Sequence, residues 1–257
     1  MNLFYRIYGK GQPLLILHGI FGLSDNWVSY GKRIAKQGFE VMILDQRNHG
    51  RSPHSDTFNY YALVDDLAEF IDYHNVTEPV LLGHSMGGKV IMRYALENPD
   101  LVSKIISVDV SLRTYTTHSD HRQLISIMQS VNFGKDTTRQ QIENELAEKI
   151  SSPRIRQFLA KNLHWKDRDQ LGWRINLNAL SENLDSMYDG VFYSSKYKGP
   201  ALFVKGGEST YVNDEDEKEI MERFPEAQIE AIPHGTHWVH ADDPEMFYRI
   251  TADFLSK

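Results

Sequence analysis

The chain has 257 residues, 41% of them hydrophobic and 25% charged, with a formal net charge of −7. That is ordinary globular usage, long enough for one large domain or one domain plus a lid, and it argues against disorder and against a nucleic-acid binder, which needs a basic stripe for phosphates. There is no cysteine, so disulfides, thiolate metal sites and a cysteine nucleophile are excluded.

The first third alternates short apolar runs with amphipathic stretches. Leu3 to Tyr8 alternates in polarity and reads as an antiparallel edge strand. Leu14–Leu17, Val41–Leu44, Val80–Leu82 and Ile105–Val108 are apolar on both faces, as parallel strands covered by helices must be. Between them, Leu63, Leu67, Phe70 and Ile71 share one helical face, and Val90, Ile91, Tyr94 and Ala95 another. Strand–helix alternation implies right-handed βαβ units and a doubly wound parallel sheet, an α/β fold.

The rhythm breaks near Ser111. Residues 112–195 show no central strand, and Ile142, Leu146 and Ile150 recur four apart. Ser152-Pro153 reads as an N-cap followed by a first-turn proline, and Ile155, Phe158, Leu159 and Leu163 continue with helical spacing. This predicts a helical cap at 112–195 inserted into a core made of 1–111 and 196–257. The βα rhythm resumes with strands at Ala201–Val204 and Ile229–Ile232, a helix over Glu217–Phe224 and a last helix over Pro244–Leu255. No apolar run approaches the ~18–20 residues of a membrane span. Met1 to Arg6 lack the basic-then-apolar pattern of a leader, so a cytoplasmic protein is expected. No internal repeat or low-complexity tract is visible.

Three segments carry chemistry. Gly83-His84-Ser85-Met86-Gly87-Gly88 places G-x-S-x-G between an apolar strand and an amphipathic helix. A serine there sits on a sharp turn, exposed above the sheet at a helix N-terminus that favours developing negative charge. Ser85 is the candidate nucleophile. His18-Gly19-Ile20-Phe21-Gly22 follows the first parallel strand. Acyl transfer needs two N–H donors aimed at the tetrahedral oxyanion. Met86, just after the serine, and Ile20 are the candidates, with Phe21 the alternative to Ile20; His18 reads as a residue that fixes the loop. Pro233-His234-Gly235-Thr236-His237-Trp238-Val239-His240 follows the last strand. Of its three histidines, His237 at the loop apex is the candidate general base, and His234 and His240 read as surface or supporting residues. The candidate substrate-binding residues are Phe21, His84 and Trp238.

The order of these motifs resembles the α/β-hydrolase superfamily over nearly the whole chain. Asp45-Gln46-Arg47-Asn48-His49-Gly50-Arg51-Ser52 adds that superfamily's D-x-R-x-H-G-x-S turn, in which Asp45 and Arg47 read as structural. Finer details resemble the bacterial YbfF-type esterases: His18 to Gly22 followed by Asn26-Trp27, Gly83 to Lys89, and Gly206-Gly207-Glu208-Ser209-Thr210-Tyr211-Val212.

The acid of the triad is less direct. Many α/β-hydrolases carry it just past the strand corresponding to Ala201–Val204, where this chain has Ser209, and a serine cannot stabilise an imidazolium as a carboxylate can. Asp109 ends the preceding strand, and an aspartate after four largely apolar residues is costly unless paired. The resemblance to the YbfF type also implies an acid at this earlier strand. Asp109 is the first candidate, with Glu208 and Asp214 as alternatives and Ser209 as a possible fourth member.

A serine nucleophile disfavours haloalkane dehalogenation, which needs a carboxylate. The expected reaction is two-step acyl transfer to water on small or medium esters or thioesters, requiring no metal and no organic cofactor. The resemblance implies an esterase or acyl-CoA thioesterase. A C–C bond hydrolase or lactonase on the same triad, or a ligand receptor in the same fold, are the alternatives. Expected partners are a small-molecule ester or thioester, with neither nucleic acid nor membrane, in a monomer or homodimer. A few cap residues among Leu124, Ile125, Ile127, Met128, Phe133, Trp165, Trp173 and Met187 are expected to make an apolar acyl site. The cap holds eleven Lys/Arg against ten Asp/Glu, so the acidity lies in the core.

Overall fold

The computed structural model describes residues 1–116, 119–168 and 170–257. In chain order its elements are β1 (Tyr5–Tyr8), β2 (Gln12–Leu17), α1 (Val28–Ile34), β3 (Phe39–Leu44), α2 (Tyr60–Tyr73), β4 (Val80–His84), α3 (Met86–Glu97) and β5 (Lys104–Val108). Then come α4 (Ser119–Gln129), α5 (Arg139–Lys149), α6 (Pro153–Ala160), β6 (Leu163–Asp167), β7 (Gln170–Trp173) and α7 (Leu177–Asn183). The chain closes with β8 (Ala201–Gly206), α8 (Asp214–Arg223), β9 (Ala227–Ile232), α9 (Val239–Asp242) and α10 (Pro244–Leu255).

Seven strands form one sheet in the order β1-β3-β2-β4-β5-β8-β9. Only β1 is antiparallel, paired with β3 from Tyr5↔Leu44 to Tyr8↔Val41. The parallel strands bury both faces, so their side chains alternate between two cores. Leu15 and Leu17 pack with Leu81, Val90 and Ile91 on the α2/α3 side. Leu14 and Ile16 pack with Leu82, Phe247 and Phe254 on the side of α10. Emptying one of these positions, as in Leu15→Ala, costs about 2–5 kcal/mol through lost transfer energy and the cavity left behind.

The chain steps outward from β2 to β3, then returns to β4 on the other side of β2 and proceeds to β5, β8 and β9. This reversal opens a crevice at the carboxyl ends of β2 and β4, where open α/β sheets bind ligands. The segments after β2, β4, β5, β8 and β9 all converge on that edge.

Residues 112–195 differ from the sequence reading in one respect. Besides α4–α7 they contain an antiparallel hairpin, β6 with β7, pairing Leu163↔Trp173 and Trp165↔Leu171. Leu163 therefore begins a strand rather than continuing the α6 helix, which ends at Ala160. The stretch is amphipathic on so few residues that two-residue and helical spacing overlap.

The two ends of this segment pair with each other: the Val191 N–H donates to the Leu112 carbonyl at 2.6 Å, and the Tyr115 N–H to the Tyr188 carbonyl at 3.0 Å. Two basic side chains from α3 bind the same stems. Buried Lys89 donates from Nζ to the carbonyls of Arg113 (2.7 Å) and Asp189 (2.6 Å), and Arg93 donates to that of Gly190 (2.6 Å). These bonds tie the stems of the insertion to the helix that starts beside Ser85.

Candidate active site

Ser85 stands between β4 and α3 with φ 53° and ψ −116°, a strained conformation for a residue with a Cβ. The glycines around it make the turn possible. A Cβ on Gly83 would lie 2.2 Å from the Gly87 carbonyl oxygen, and one on Gly87 would lie 2.4 Å from that of Leu17. The Ser85 N–H donates to the Val108 carbonyl at 3.0 Å, which ties the turn to β5.

The Ser85 hydroxyl lies 3.0 Å from His237 Nε2, and His237 Nδ1 lies 2.8 Å from Asp109 Oδ2. With its proton on Nδ1, the imidazole donates to the carboxylate and leaves Nε2 to accept from the serine. The Asp109 side chain is fully buried. Its Oδ1 accepts the Gly206 N–H at 2.9 Å and its Oδ2 the Ser209 hydroxyl at 2.5 Å. Asp109 itself has a positive φ of 47°. A buried carboxylate is tolerable only with such partners.

Of the residues singled out in the sequence, Ser85, His237, Asp109 and Ser209 thus form one hydrogen-bonded chain. The alternative acids lie elsewhere. Glu208 is exposed and faces the exposed His234 at 3.3 Å. Asp214 is an exposed residue at the start of α8. His240 stacks on Trp27 at 4.3 Å, and its burial holds it neutral, well below the ordinary histidine range.

The three candidate substrate contacts have other neighbours. Buried His84 donates from Nε2 to the His237 carbonyl at 2.8 Å, bracing the loop that carries His237; burial lowers His84 to about 3. Trp238 packs on Phe158 and beneath the Arg154 guanidinium, both from α6. Phe21 is buried, with φ 62° and its ring 5.7 Å from that of His121. None of the three lines the cavity that contains Ser85.

The His18–Gly22 loop is fixed from several sides. Gly19 lies so near Ser85 that a Cβ there would approach that of Ser85 to 3.1 Å. The Phe21 N–H is taken by His49 Nε2 at 3.3 Å, and its carbonyl accepts from Asn162 Nδ2 at 2.8 Å. The N–H groups of Ile20 and Met86 have no hydrogen-bond acceptor among the described residues, and both residues line the cavity. His18 is buried, accepts the Gln46 N–H at 3.1 Å, and is lowered by burial to about 4. Asp45 accepts the N–H groups of Ser24 and Arg51, and Arg47 forks onto Asp66 at 2.5 and 2.8 Å.

The cavity, of about 30 Å³, is walled by Ile20, Met86, Val110 and Met187 and by the tyrosines 60, 115, 188 and 211. Tyrosine hydroxyls and Lys89 add polar atoms to a lining that is otherwise largely apolar. Of the cap residues considered for it, only Met187 takes part; Met128, Phe133 and Trp173 line a separate groove with Arg51 and Lys166. The sequence reading missed Lys89, Tyr115 and Tyr211. Lys89 lies four residues after Ser85 and so on its side of α3, a signal available in the sequence. Its burial, then the nearby Arg93, lowers it to about 7. Tyr115 and Tyr211 reach the site only through tertiary structure. Among the described residues, no group of three or more His, Asp or Glu is placed to hold a metal ion, and no helix is long and apolar enough to cross a membrane.

Residues 12–244 match the family described as alpha/beta hydrolase fold. The chain belongs to the α/β-hydrolase family. It is 38% identical to the zebrafish sn-1-specific diacylglycerol lipase ABHD11, over 99% of this chain and 83% of that one. It is 28% identical to the esterase YbfF of Escherichia coli K12, over 96% of this chain and 94% of that one. The solved structure of a marine microorganism esterase superposes with a TM-score of 0.94 at 38% identity, covering 98% of both chains. This α/β-hydrolase is an enzyme of the esterase/lipase type.

Proposed function

We propose that the protein hydrolyses carboxylic esters, and thioesters of the same acyl groups, through an acyl-enzyme on Ser85. The observation that carries this reading is the continuous chain Ser85–His237–Asp109, with contacts of 3.0 and 2.8 Å at one sheet edge. In the first step Ser85 Oγ attacks the carbonyl carbon while His237 Nε2 takes its proton. Asp109 holds the tautomer and stabilises the imidazolium. The Ile20 and Met86 N–H groups receive the oxyanion, a role worth about 10²–10³ in rate per donor. The imidazolium then protonates the leaving alkoxide or thiolate, and water activated by the same histidine releases the acid. Ser209 acts as a fourth member by holding Asp109.

Residues 112–195 serve as the cap in this reading. The cavity beside Ser85 leaves only about 30 Å³ of free space, far below the ~300–1,000 Å³ of ordinary ligand pockets, which favours the short end of the acyl range. The near balance of charge in the cap supports anionic leaving groups such as a coenzyme A thiolate, because its field does not repel them. The name of the zebrafish relative supports adding acylglycerols to the candidates. The test is turnover of p-nitrophenyl esters from two to twelve carbons, acyl-CoAs and diacylglycerol, by wild type and Ser85→Ala. Hydrolysis with a short or medium optimum that disappears in Ser85→Ala is the expected result. Hydrolysis surviving in Ser85→Ala overturns the mechanism. Binding of small esters without turnover assigns the fold to a receptor.

A further inference from the structure

Tyr211 lies in the loop after β8, and its ring stacks on the imidazole of His237 with centroids 3.8 Å apart and planes 18° from parallel. We infer that Tyr211 is the positioning residue for the base: its ring face fixes the imidazole plane between Ser85 and Asp109 and stabilises the imidazolium that forms in each half-reaction. The inference rests on the proposed role of His237.

Three observations make Tyr211 a platform rather than a chance neighbour. Its N–H donates to Ser209 Oγ at 3.2 Å, and that hydroxyl donates to Asp109. Its carbonyl accepts the Tyr115 hydroxyl at 2.8 Å, and Tyr115 belongs to the stem of the 112–195 segment. The next carbonyl back, that of Thr210, accepts Arg113 Nη2 at 2.9 Å, while Arg113 Nε pairs with Asp216 at 3.0 Å. The backbone under the ring is thus held from the acid side and from the cap stem together.

The energetics favour this role over simple packing. His84 supports the same loop from below, through the His237 carbonyl, but that contact leaves rotation of the imidazole about its own side-chain bonds free. A stacked ring restricts that rotation. Its negative π-face also attracts a cation, by ~0.5–2 kcal/mol depending on desolvation. The gain exists only while the imidazole is charged, so it belongs to the transition state and appears in kcat rather than in substrate binding.

Tyr211 also lines the cavity, so the test must separate positioning from substrate contact. Wild type, Tyr211→Phe and Tyr211→Leu are assayed with p-nitrophenyl acetate and p-nitrophenyl hexanoate, with thermal melts as the folding control and Ser85→Ala as the mechanistic one. Tyr211→Phe keeps the ring and should stay within ~2-fold of wild-type kcat. Tyr211→Leu should lose ~3- to 30-fold in kcat, equally for both esters, with KM changed by less than ~3-fold. Should the leucine variant melt early, Tyr211→Met repeats the test with similar bulk and no ring. Wild-type kcat without the ring, a loss confined to KM or to one chain length, or a phenylalanine variant as slow as leucine would overturn the inference. Activity in Ser85→Ala would instead sink the underlying mechanism, so the two failures are distinguishable.

Discussion

Asp109 at the end of β5 and His237 after β9 meet at 2.8 Å across 128 residues of sequence, with Asp109 one strand earlier in the sheet than the Gly206–Ser209 segment. That segment holds Asp109 in place: the Gly206 N–H and the Ser209 hydroxyl both donate to its carboxylate. Asp109→Asn should lower kcat by about 10⁴, because the amide stabilises the wrong histidine tautomer. Glu208→Gln and Asp214→Asn should retain near-normal kcat. Steady-state assays of the three variants check this, and the reverse pattern would move the acid.

Ser209→Ala removes a hydrogen bond to a charged, buried oxygen. Such bonds contribute about 1.5–3 kcal/mol, and Gly206 and His237 still hold the carboxylate. Part of that energy should appear as a kcat loss of roughly 10-fold, far below the loss at Asp109. A loss equal to that of Asp109→Asn would make Ser209 indispensable rather than supporting.

Much of this was legible in the chain. The strands at Leu14, Val41, Val80 and Ile105 announce themselves because both faces of a parallel strand are apolar, and the last helix because Asp243-Pro244 is strong punctuation; Asp243 caps the Met246 N–H at 2.9 Å. The turn that carries Ser85 was legible because a strained turn needs its glycines at fixed offsets. The substrate contacts were not. His84 looked like a cavity residue by its place beside Ser85, but the side chain before the elbow points under the loop to the His237 carbonyl. The tyrosines of the cavity come from separate parts of the chain, and no local period marks them. The β6/β7 hairpin was hidden because Trp165, on one of its faces, is 55% exposed.

Asn162 is buried in the segment between β5 and β8 yet donates to the Phe21 carbonyl in the loop after β2. Its own carbonyl accepts the Arg174 N–H at 2.8 Å. Asn162→Ala leaves the Phe21 carbonyl without this donor and should cost about 1–3 kcal/mol of stability. It should also lower kcat severalfold by loosening the loop that carries Ile20. Urea unfolding and steady-state kinetics on the same preparation check both. An unchanged kcat at reduced stability would separate this link from catalysis.

Acid stability should be poor. His18, His49 and His84 are buried, and desolvation lowers them to about 4, 3 and 3. Below their ordinary value of 6.5 the unfolded chain binds protons that the folded chain refuses, so stability falls as pH drops from about 6.5, until about 4 for His18 and about 3 for His49 and His84, where the folded state also protonates. Each histidine contributes up to about 1.4 kcal/mol per pH unit within that window. Urea midpoints between pH 7.5 and 4.5 should therefore decline steeply, beginning above the carboxylate range. Midpoints flat down to pH 5 would contradict the neutral burial of these rings.

The most direct test of the central claim is to trap the nucleophile. The enzyme is treated with an alkyl phosphonate ester and analysed by intact and peptide mass spectrometry. The mechanism requires one adduct per chain, on the peptide containing Ser85, with full loss of esterase activity and no adduct on Ser85→Ala. An adduct on another residue, or full activity remaining after stoichiometric labelling of Ser85, would contradict it.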